Sequence, residues 1–151
     1  MSVLLQISDT HFGTEQPPVV EALAAFTAQQ RPDVVVLSGD ITQRARRAQF
    51  HAARAFVERL ATPVLAIPMG GHIHLPYVMP LPGLPRRLWS VQAGTAVSHR
   101  VRDGQLNSVN VLRWGRDAPP GRCVVEQWDC PATGPAFVRA AVTEFEPQRV
   151  G

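Results

Sequence analysis

The sequence lacks lysine altogether, has only two cysteines and contains no apolar run long enough to cross a membrane. A spanning helix needs about 20 apolar residues, and the first residues lack the basic start and cleavage site of a signal peptide. We therefore expect a cytoplasmic protein without a membrane partner. Cys123 and Cys130 are too few for a disulfide scaffold and too far apart for C-x-x-C zinc spacing, so we interpret them as ordinary thiols.

Charged residues are also sparse, at 18% of the chain, and the net charge is only +3. Binding to nucleic acid through charge requires several phosphate contacts on one face, so this composition argues against a nucleic-acid partner. Arg44, Arg46, Arg47 and Arg54 share one predicted helix, which favours a solvated face over phosphate contact. With 45% hydrophobic residues among 151, we predict a single domain over residues 1–151. No pattern indicates an oligomeric state.

The first half of the chain has an α/β pattern. Short apolar runs followed by turns predict buried strands at residues 3–7 and 34–37, and helical spacing after Pro17-Pro18 predicts a helix between them. A strand, a helix and a strand in this length predict a parallel pair with a right-handed crossover. A second amphipathic helix at residues 44–60 and a strand at residues 64–67 follow.

After Leu75 the prolines become frequent and the pattern changes to short strands separated by turns. Asp103-Gly104 is typical of a hairpin turn. This second half therefore predicts a β-rich layer of the same domain. The expected strands cover residues 89–92, 109–112, 123–128 and 137–145.

Metal-ligand side chains occur at three places where predicted strands end. Asp9 and His11 follow the first strand, Asp40 follows the second, and His72 and His74 come after the third. Loops leaving the carboxyl edge of a parallel sheet converge, and residues two apart in an extended loop point the same way. Carboxylates combined with imidazoles suit Zn, Mn or Fe. Each motif alone is weak, but their order predicts a metal site.

These motifs resemble those of the calcineurin-like metallophosphoesterases. The resemblance rests on Ile7-Ser8-Asp9-Thr10-His11-Phe12-Gly13, on Leu37-Ser38-Gly39-Asp40-Ile41-Thr42 and on Gly71-His72-Ile73-His74. Ala93-Gly94-Thr95-Ala96 is similar to the end of the same domain, particularly in bacterial cyclic-nucleotide phosphodiesterase-like members. The resemblance implies an α/β fold in which a two-sheet β sandwich is flanked by helices.

The resemblance also implies a site and an activity. Asp9, His11, Asp40 and His74 would ligate a first metal, while Asp40 would bridge to a second metal that His72 helps to hold. Two divalent ions about 3.5–4 Å apart would activate a water for in-line attack on phosphorus. The expected substrate is a small phosphate ester or a nucleotide, with Asp40 and His72 as catalytic residues.

One part of the family pattern is missing. The chain runs from Pro68 through Met69-Gly70-Gly71 directly into the Gly-His-x-His motif, so a Gly-Asn-His-Asp/Glu segment and a later histidine have no counterparts. The domain is therefore internally shortened near residues 68–71, lacks some central elements and keeps ligands for as few as one metal.

Two functions follow from the remaining motifs. The leading hypothesis is a metal-dependent phosphohydrolase, in particular a phosphodiesterase. The alternative is a catalytically impaired or inactive relative that serves as a metal-binding or structural module.

Overall fold

A computed structural model describes residues 3–67, 74–80, 89–102, 104–134 and 136–146. Within them the chain forms strands and helices in an α/β order. The elements are β1 (Val3–Ser8), α1 (Pro17–Gln30), β2 (Val34–Ser38), α2 (Arg47–Arg59), β3 (Val64–Ile67), β4 (Tyr77–Pro80), β5 (Trp89–Gln92), β6 (Asn107–Arg113), a 3-10 turn (Gly115–Asp117), β7 (Cys123–Cys130) and β8 (Val138–Phe145).

Six strands form one mixed sheet in the order β3-β2-β1-β6-β7-β8. The three strands of the first half pair in parallel, and β6, β7 and β8 join them in antiparallel fashion. The α/β first half and the β-rich second half thus share a sheet through the pairing of β1 with β6. The remaining strands, β4 and β5, form a small second sheet.

Helix α1 and the small sheet contact the large sheet through specific side chains. Phe26 of α1 packs against Trp128 of β7, with ring centroids 4.9 Å apart. On β1, Leu5 and Ile7 are fully buried in the core, whereas the side chain of Gln6 donates a hydrogen bond to a carbonyl of β5. Because alternate residues of a strand point to opposite faces, the second sheet covers the face of β1 opposite the core. The expected two-sheet architecture flanked by helices is confirmed.

The details differ from the expectations in two places. β4, which ends at Pro80, lies in the proline-rich part where no strand was predicted. Asp103 lies outside the described residues, but β5 and β6 on either side of it belong to different sheets. A hairpin between β5 and β6 is therefore wrong, because β6 finds its partners in β1 and β7. The N–H of Gln105 nevertheless donates to the carbonyl of Arg102 at 2.9 Å, as the turn signal predicts. Among the described residues, no helix is long and apolar enough to span a bilayer.

Candidate metal centre

The loops after β1 and β2 remain paired beyond the ends of their strands. The backbone N–H of Asp9 donates to the carbonyl of Ser38 at 3.0 Å, and the N–H of His11 donates to the carbonyl of Asp40 at 3.0 Å. These bonds continue the parallel ladder into the two motif-bearing loops. These two hydrogen bonds therefore fix the position of the loop that carries Asp9 and His11 relative to the loop that carries Asp40.

Three motif residues adopt a left-handed backbone. Asp9, His11 and His74 have φ values of 48°, 47° and 53°, and Arg31 and Ala45 are the other non-glycine residues with positive φ in the described ranges. Such conformations are uncommon for non-glycine residues and tend to cluster at functional sites, where surrounding contacts maintain them. Three of the five non-glycine residues with positive φ in the described ranges therefore belong to the predicted metal-ligand motifs.

The side chains of Asp9, His11 and His74 converge. One potential ligand atom from each lies within 4.8 Å of the other two. Asp9 and His11 are buried and His74 is half-buried, so one side of the group faces the protein interior and the other reaches solvent. The three residues offer one carboxylate and two imidazoles to a common point.

The two imidazoles meet through their Nε2 atoms, which are 2.9 Å apart. His74 Nδ1 lies 2.8 Å from the carbonyl oxygen of Arg100. A carbonyl only accepts hydrogen bonds, so His74 Nδ1 carries the proton. In a neutral ring, Nε2 of His74 is then an acceptor that can take a hydrogen bond from His11 or bind a metal. A backbone carbonyl that fixes the tautomer of a histidine in this way is the usual support of a metal ligand.

The spacing of the group fits a divalent ion. Two nitrogens about 2.0–2.1 Å from one zinc ion would lie about 2.9 Å apart at a right angle and about 3.4 Å apart at the tetrahedral angle. The observed 2.9 Å matches the first geometry, and a small opening of the rings gives the second. Two buried polar atoms of the described residues lack a hydrogen-bond partner in this region. They are Nδ1 of His11 and Oγ of Ser38, the residue whose carbonyl accepts a hydrogen bond from Asp9.

The local environment favours the neutral form of His11. Burial lowers the pKa of His11 from its ordinary value, and neighbouring His74 lowers it further. The carboxylates of Asp40 and Asp9 act in the opposite direction, and the guanidinium of Arg100 makes a smaller lowering contribution. Metal ligation by histidine requires the neutral ring, so the direction of the shift suits a ligand.

Asp9 is held from several sides. Its Oδ2 accepts a hydrogen bond from the Ser8 hydroxyl at 2.7 Å, and its Oδ1 accepts one from the backbone N–H of Asp40 at 3.0 Å. Its backbone carbonyl accepts a hydrogen bond from the Thr95 hydroxyl at 2.5 Å. Gly39 has a φ of 71°, and a Cβ there would lie 2.5 Å from Asp9 Oδ1. Glycine is thus required where the second loop passes the carboxylate.

Asp40 lies beside the group but is not a member of it. Its backbone bonds to both Asp9 and His11, and its carboxylate raises the pKa of His11. The residue is exposed, and the cluster of mutually close ligand atoms in the described chain does not include its carboxylate. The fold therefore brings together Asp9, His11 and His74 and leaves Asp40 at the solvent side. His72, the remaining predicted ligand, lies outside the described residues.

Two supporting residues have no role that the sequence alone predicts. Thr95 stands out only as part of an Ala-Gly-Thr-Ala motif, and Arg100 only as a neighbour of His99. In the fold, Thr95 is buried and bonds to Asp9, while Arg100 orients His74 through its carbonyl. A backbone contribution such as that of Arg100 leaves no signal in the sequence.

The family is established by comparison with known proteins. A sequence profile of the calcineurin-like phosphoesterases matches residues 2–92, which is more than half of the chain. The protein therefore belongs to the calcineurin-like phosphoesterase family. This family generally binds divalent metals, in agreement with the candidate group formed by Asp9, His11 and His74. A search among curated proteins gave no match.

Solved structures with a similar fold include two Vps29 proteins. A single mutant of Vps29 from Entamoeba histolytica has a TM-score of 0.65 and 12% identity, over 95% of this chain and 99% of that chain. Chaetomium thermophilum Vps29 has a TM-score of 0.58 and 9% identity, over 97% and 98% of the two chains. The same protein complexed with the RaPID-derived cyclic peptide RT-D3 has a TM-score of 0.60 and 9% identity, over 98% of both chains. At these identities the likeness concerns the fold.

Proposed function

We propose that this protein is a metal-dependent phosphohydrolase that acts on phosphodiesters, with Asp9, His11 and His74 as the ligands of a divalent ion. The observation that carries the proposal is the convergence of these three side chains within 4.8 Å. Catalytic metal sites commonly have three protein ligands and keep an open position for water or substrate. The half-buried edge of His74 gives this group such an open side.

The ligands would divide the work between positioning and chemistry. When bound, the ion supplies electrostatic stabilisation to the phosphoryl oxygens and lowers the pKa of a water molecule. Asp9 and the two histidines fix the place at which the substrate binds, while Asp40 presents a carboxylate at the solvent side. We assign Asp40 the role of orienting the attacking water and accepting one of its protons. His72, two residues before His74, is proposed as a further ligand and catalytic residue.

The reaction is a hydrolysis. A water oxygen forms a bond to phosphorus while the bond from phosphorus to the ester oxygen breaks in line with it. One water proton passes to Asp40, and the departing alkoxide or aryloxide takes a proton from solvent. The missing Gly-Asn-His-Asp/Glu segment removes the family's other acid. General acid catalysis typically raises the reaction rate by about 10²- to 10⁴-fold. We therefore expect slow turnover, and faster hydrolysis of esters with good leaving groups than of other esters.

A second candidate function is supported by the position of Asp40. Its carboxylate stands outside the close ligand group, which is compatible with a module that binds one metal and does not hydrolyse esters. A Vps29 of similar fold has been solved in complex with a cyclic peptide. A peptide-binding or structural role is therefore the alternative to catalysis.

Hydrolysis of bis(p-nitrophenyl) phosphate in the presence of Mn²⁺ separates the two candidates. For the enzyme we expect turnover that depends on Mn²⁺ and falls about a hundredfold or more in Asp40→Asn. The control is Asp129→Asn, since Asp129 lies on β7 and bonds to Gln127. One bound metal per chain without turnover would reject the enzyme and support the binding module.

A further inference from the structure

A cavity opens directly beside Asp40. It has a volume of about 450 Å³ and is lined by the loop at residues 39–45 and by Phe50 of α2. Phe50 is 52% exposed although it is a large apolar residue. Asp40 lines the cavity, and its backbone N–H donates to the carboxylate of Asp9 in the candidate metal group. The cavity and the metal group are therefore neighbours.

The cavity wall is held in place before any ligand arrives. Gln43 donates its N–H to the carbonyl of Phe12 at 3.1 Å, which ties the wall to the loop that carries His11. The side-chain Oε1 of Gln49 accepts hydrogen bonds from the backbone N–H groups of Arg44 and Arg46, at 2.9 and 3.3 Å. A wall that is already ordered loses little conformational entropy when it binds a ligand.

Arg100 connects the cavity with the metal group. Its guanidinium donates from Nη1 to Oε1 of Gln43 in the cavity wall at 2.8 Å. Its backbone carbonyl meets Nδ1 of His74, and its backbone N–H donates to the Ser98 hydroxyl at 3.1 Å. One arginine therefore lies at the boundary between the ligand group and the cavity.

We propose that Arg100 and Phe50 form the substrate-binding half of the site, in which Arg100 binds the phosphoryl oxygens and Phe50 packs against an aromatic ester group. This inference rests on the proposed function, because it uses the same metal group. A guanidinium presents several N–H donors in a fork that matches phosphoryl oxygens, and an aromatic ring stacks favourably on another ring. The substrate class is accordingly a phosphoester with a flat aromatic substituent.

The test measures binding rather than turnover. Phenylphosphonate and methylphosphonate are titrated into the Zn²⁺-loaded full chain by calorimetry. The ratio of their Kd values measures how much the aromatic ring contributes to binding in the cavity. We expect phenylphosphonate to bind about three- to tenfold more tightly. Phe50→Ala should abolish this preference and leave the Kd of methylphosphonate unchanged. Equal affinity of the wild-type chain for both ligands would overturn the proposal.

The arginine is tested in the same titrations. Arg100→Gln should weaken both phosphonates by about ten- to a hundredfold, and it should leave the affinity for Zn²⁺ nearly unchanged because the carbonyl that orients His74 remains. Unchanged phosphonate affinity in this variant would contradict the role of Arg100. The control for charge is Arg102→Gln, an exposed arginine two residues further along.

The control for the aromatic ring is Trp114→Ala. Trp114 is 40% exposed and follows Arg113, which pairs with Val3 at the opposite end of β1 from the metal group. Trp114→Ala should keep the preference for phenylphosphonate over methylphosphonate. If this variant lost the preference as fully as Phe50→Ala, the assignment of the cavity would be refuted.

Failure of this inference is distinguishable from failure of the proposed function. Turnover of bis(p-nitrophenyl) phosphate together with an unchanged preference in Phe50→Ala rejects the cavity but keeps the enzyme. If the preference for phenylphosphonate depends on Phe50 but bis(p-nitrophenyl) phosphate is not hydrolysed, the binding role of the cavity stands and the enzyme function is rejected.

Discussion

The two sides of the candidate site differ in how firmly the chain holds them. Asp9 and His11 are buried and follow a central strand. Asp9 accepts hydrogen bonds from Ser8, Asp40 and Thr95, and the N–H of His11 donates to the carbonyl of Asp40. Asp40 is exposed and its carboxylate stands outside the close ligand group. The buried side is therefore a feature of the sheet, whereas the exposed side depends on a surface loop.

This difference shows which part of the candidate site is held by the sheet itself. The contacts that hold Asp9 come from the pairing of β1 with β2 and from the segment before β6. Neither contact needs the Gly-Asn-His-Asp/Glu segment that the sequence lacks. We therefore expect the candidate group to bind a metal without that segment, so that metal binding and hydrolysis can be measured separately.

The largest effect is expected when the close group of Asp9, His11 and His74 loses a member. We expect His11→Ala and His74→Ala to weaken Zn²⁺ binding by more than about a hundredfold, since even residues behind the ligands contribute about 10- to 100-fold. Asp40→Asn should weaken it by less than about tenfold, because its carboxylate is outside the close group. Calorimetric titration with Zn²⁺ measures all three.

The exposed histidine of α2, His51, supplies the matched control. His51→Ala should bind Zn²⁺ as the wild type does. If Asp40→Asn proved as damaging as the loss of His11, the distinction between the two sides would be wrong and Asp40 would be a full ligand.

A smaller effect is expected from the glycine between the two sides. Gly39→Ala combines the strain of a left-handed alanine with a contact of 2.5 Å to Asp9 Oδ1. Together these should lower the free energy of unfolding by about 2–5 kcal/mol, as measured by urea denaturation, and the displaced carboxylate should also weaken Zn²⁺ binding.

Gly104→Ala isolates the contact from the strain. Gly104 has a similar φ of 73°, but a Cβ there meets nothing within 4 Å. Gly104→Ala should lower the free energy of unfolding by about 1–2 kcal/mol, which is the cost of the backbone strain alone. It should not change the affinity for Zn²⁺. If Gly39→Ala and Gly104→Ala lowered the free energy of unfolding equally, the side chain of Asp9 would move aside at little cost. Its position would then not depend on Gly39.

The sequence predicted the elements whose signals are local. The strands at residues 64–67 and 89–92 match β3 and β5, and the predicted proline start of the first helix matches α1. β4 was missed because it depends on pairing with β5, and Pro80 at its end obscures the strand pattern. The hairpin at Asp103-Gly104 was wrong because a turn signal does not reveal which partner the next strand takes.

The candidate site was only partly predictable for similar reasons. Asp9, His11 and His74 follow from motif order, since parallel strand ends converge. The exposed position of Asp40 depends on the path of the loop past Gly39, which the sequence does not encode in any periodic pattern. Arg100 contributes a carbonyl and a long flexible side chain across 26 and 57 residues of chain separation, so its neighbours became known only from the fold.

The smallest effect tests how far support for the buried side extends behind the ligands. Thr95→Val removes the hydroxyl that donates to the carbonyl of Asp9 at 2.5 Å and places an apolar methyl group beside that buried carbonyl. We expect a loss of about 1–3 kcal/mol in the free energy of unfolding and about a tenfold weaker Zn²⁺ affinity. Thr95→Ser keeps a hydroxyl and should restore most of the metal affinity. If the valine variant unfolded more easily yet bound Zn²⁺ normally, the hydroxyl would stabilise the sheet edge without positioning Asp9, and the buried side would owe its geometry to the β1–β2 ladder alone.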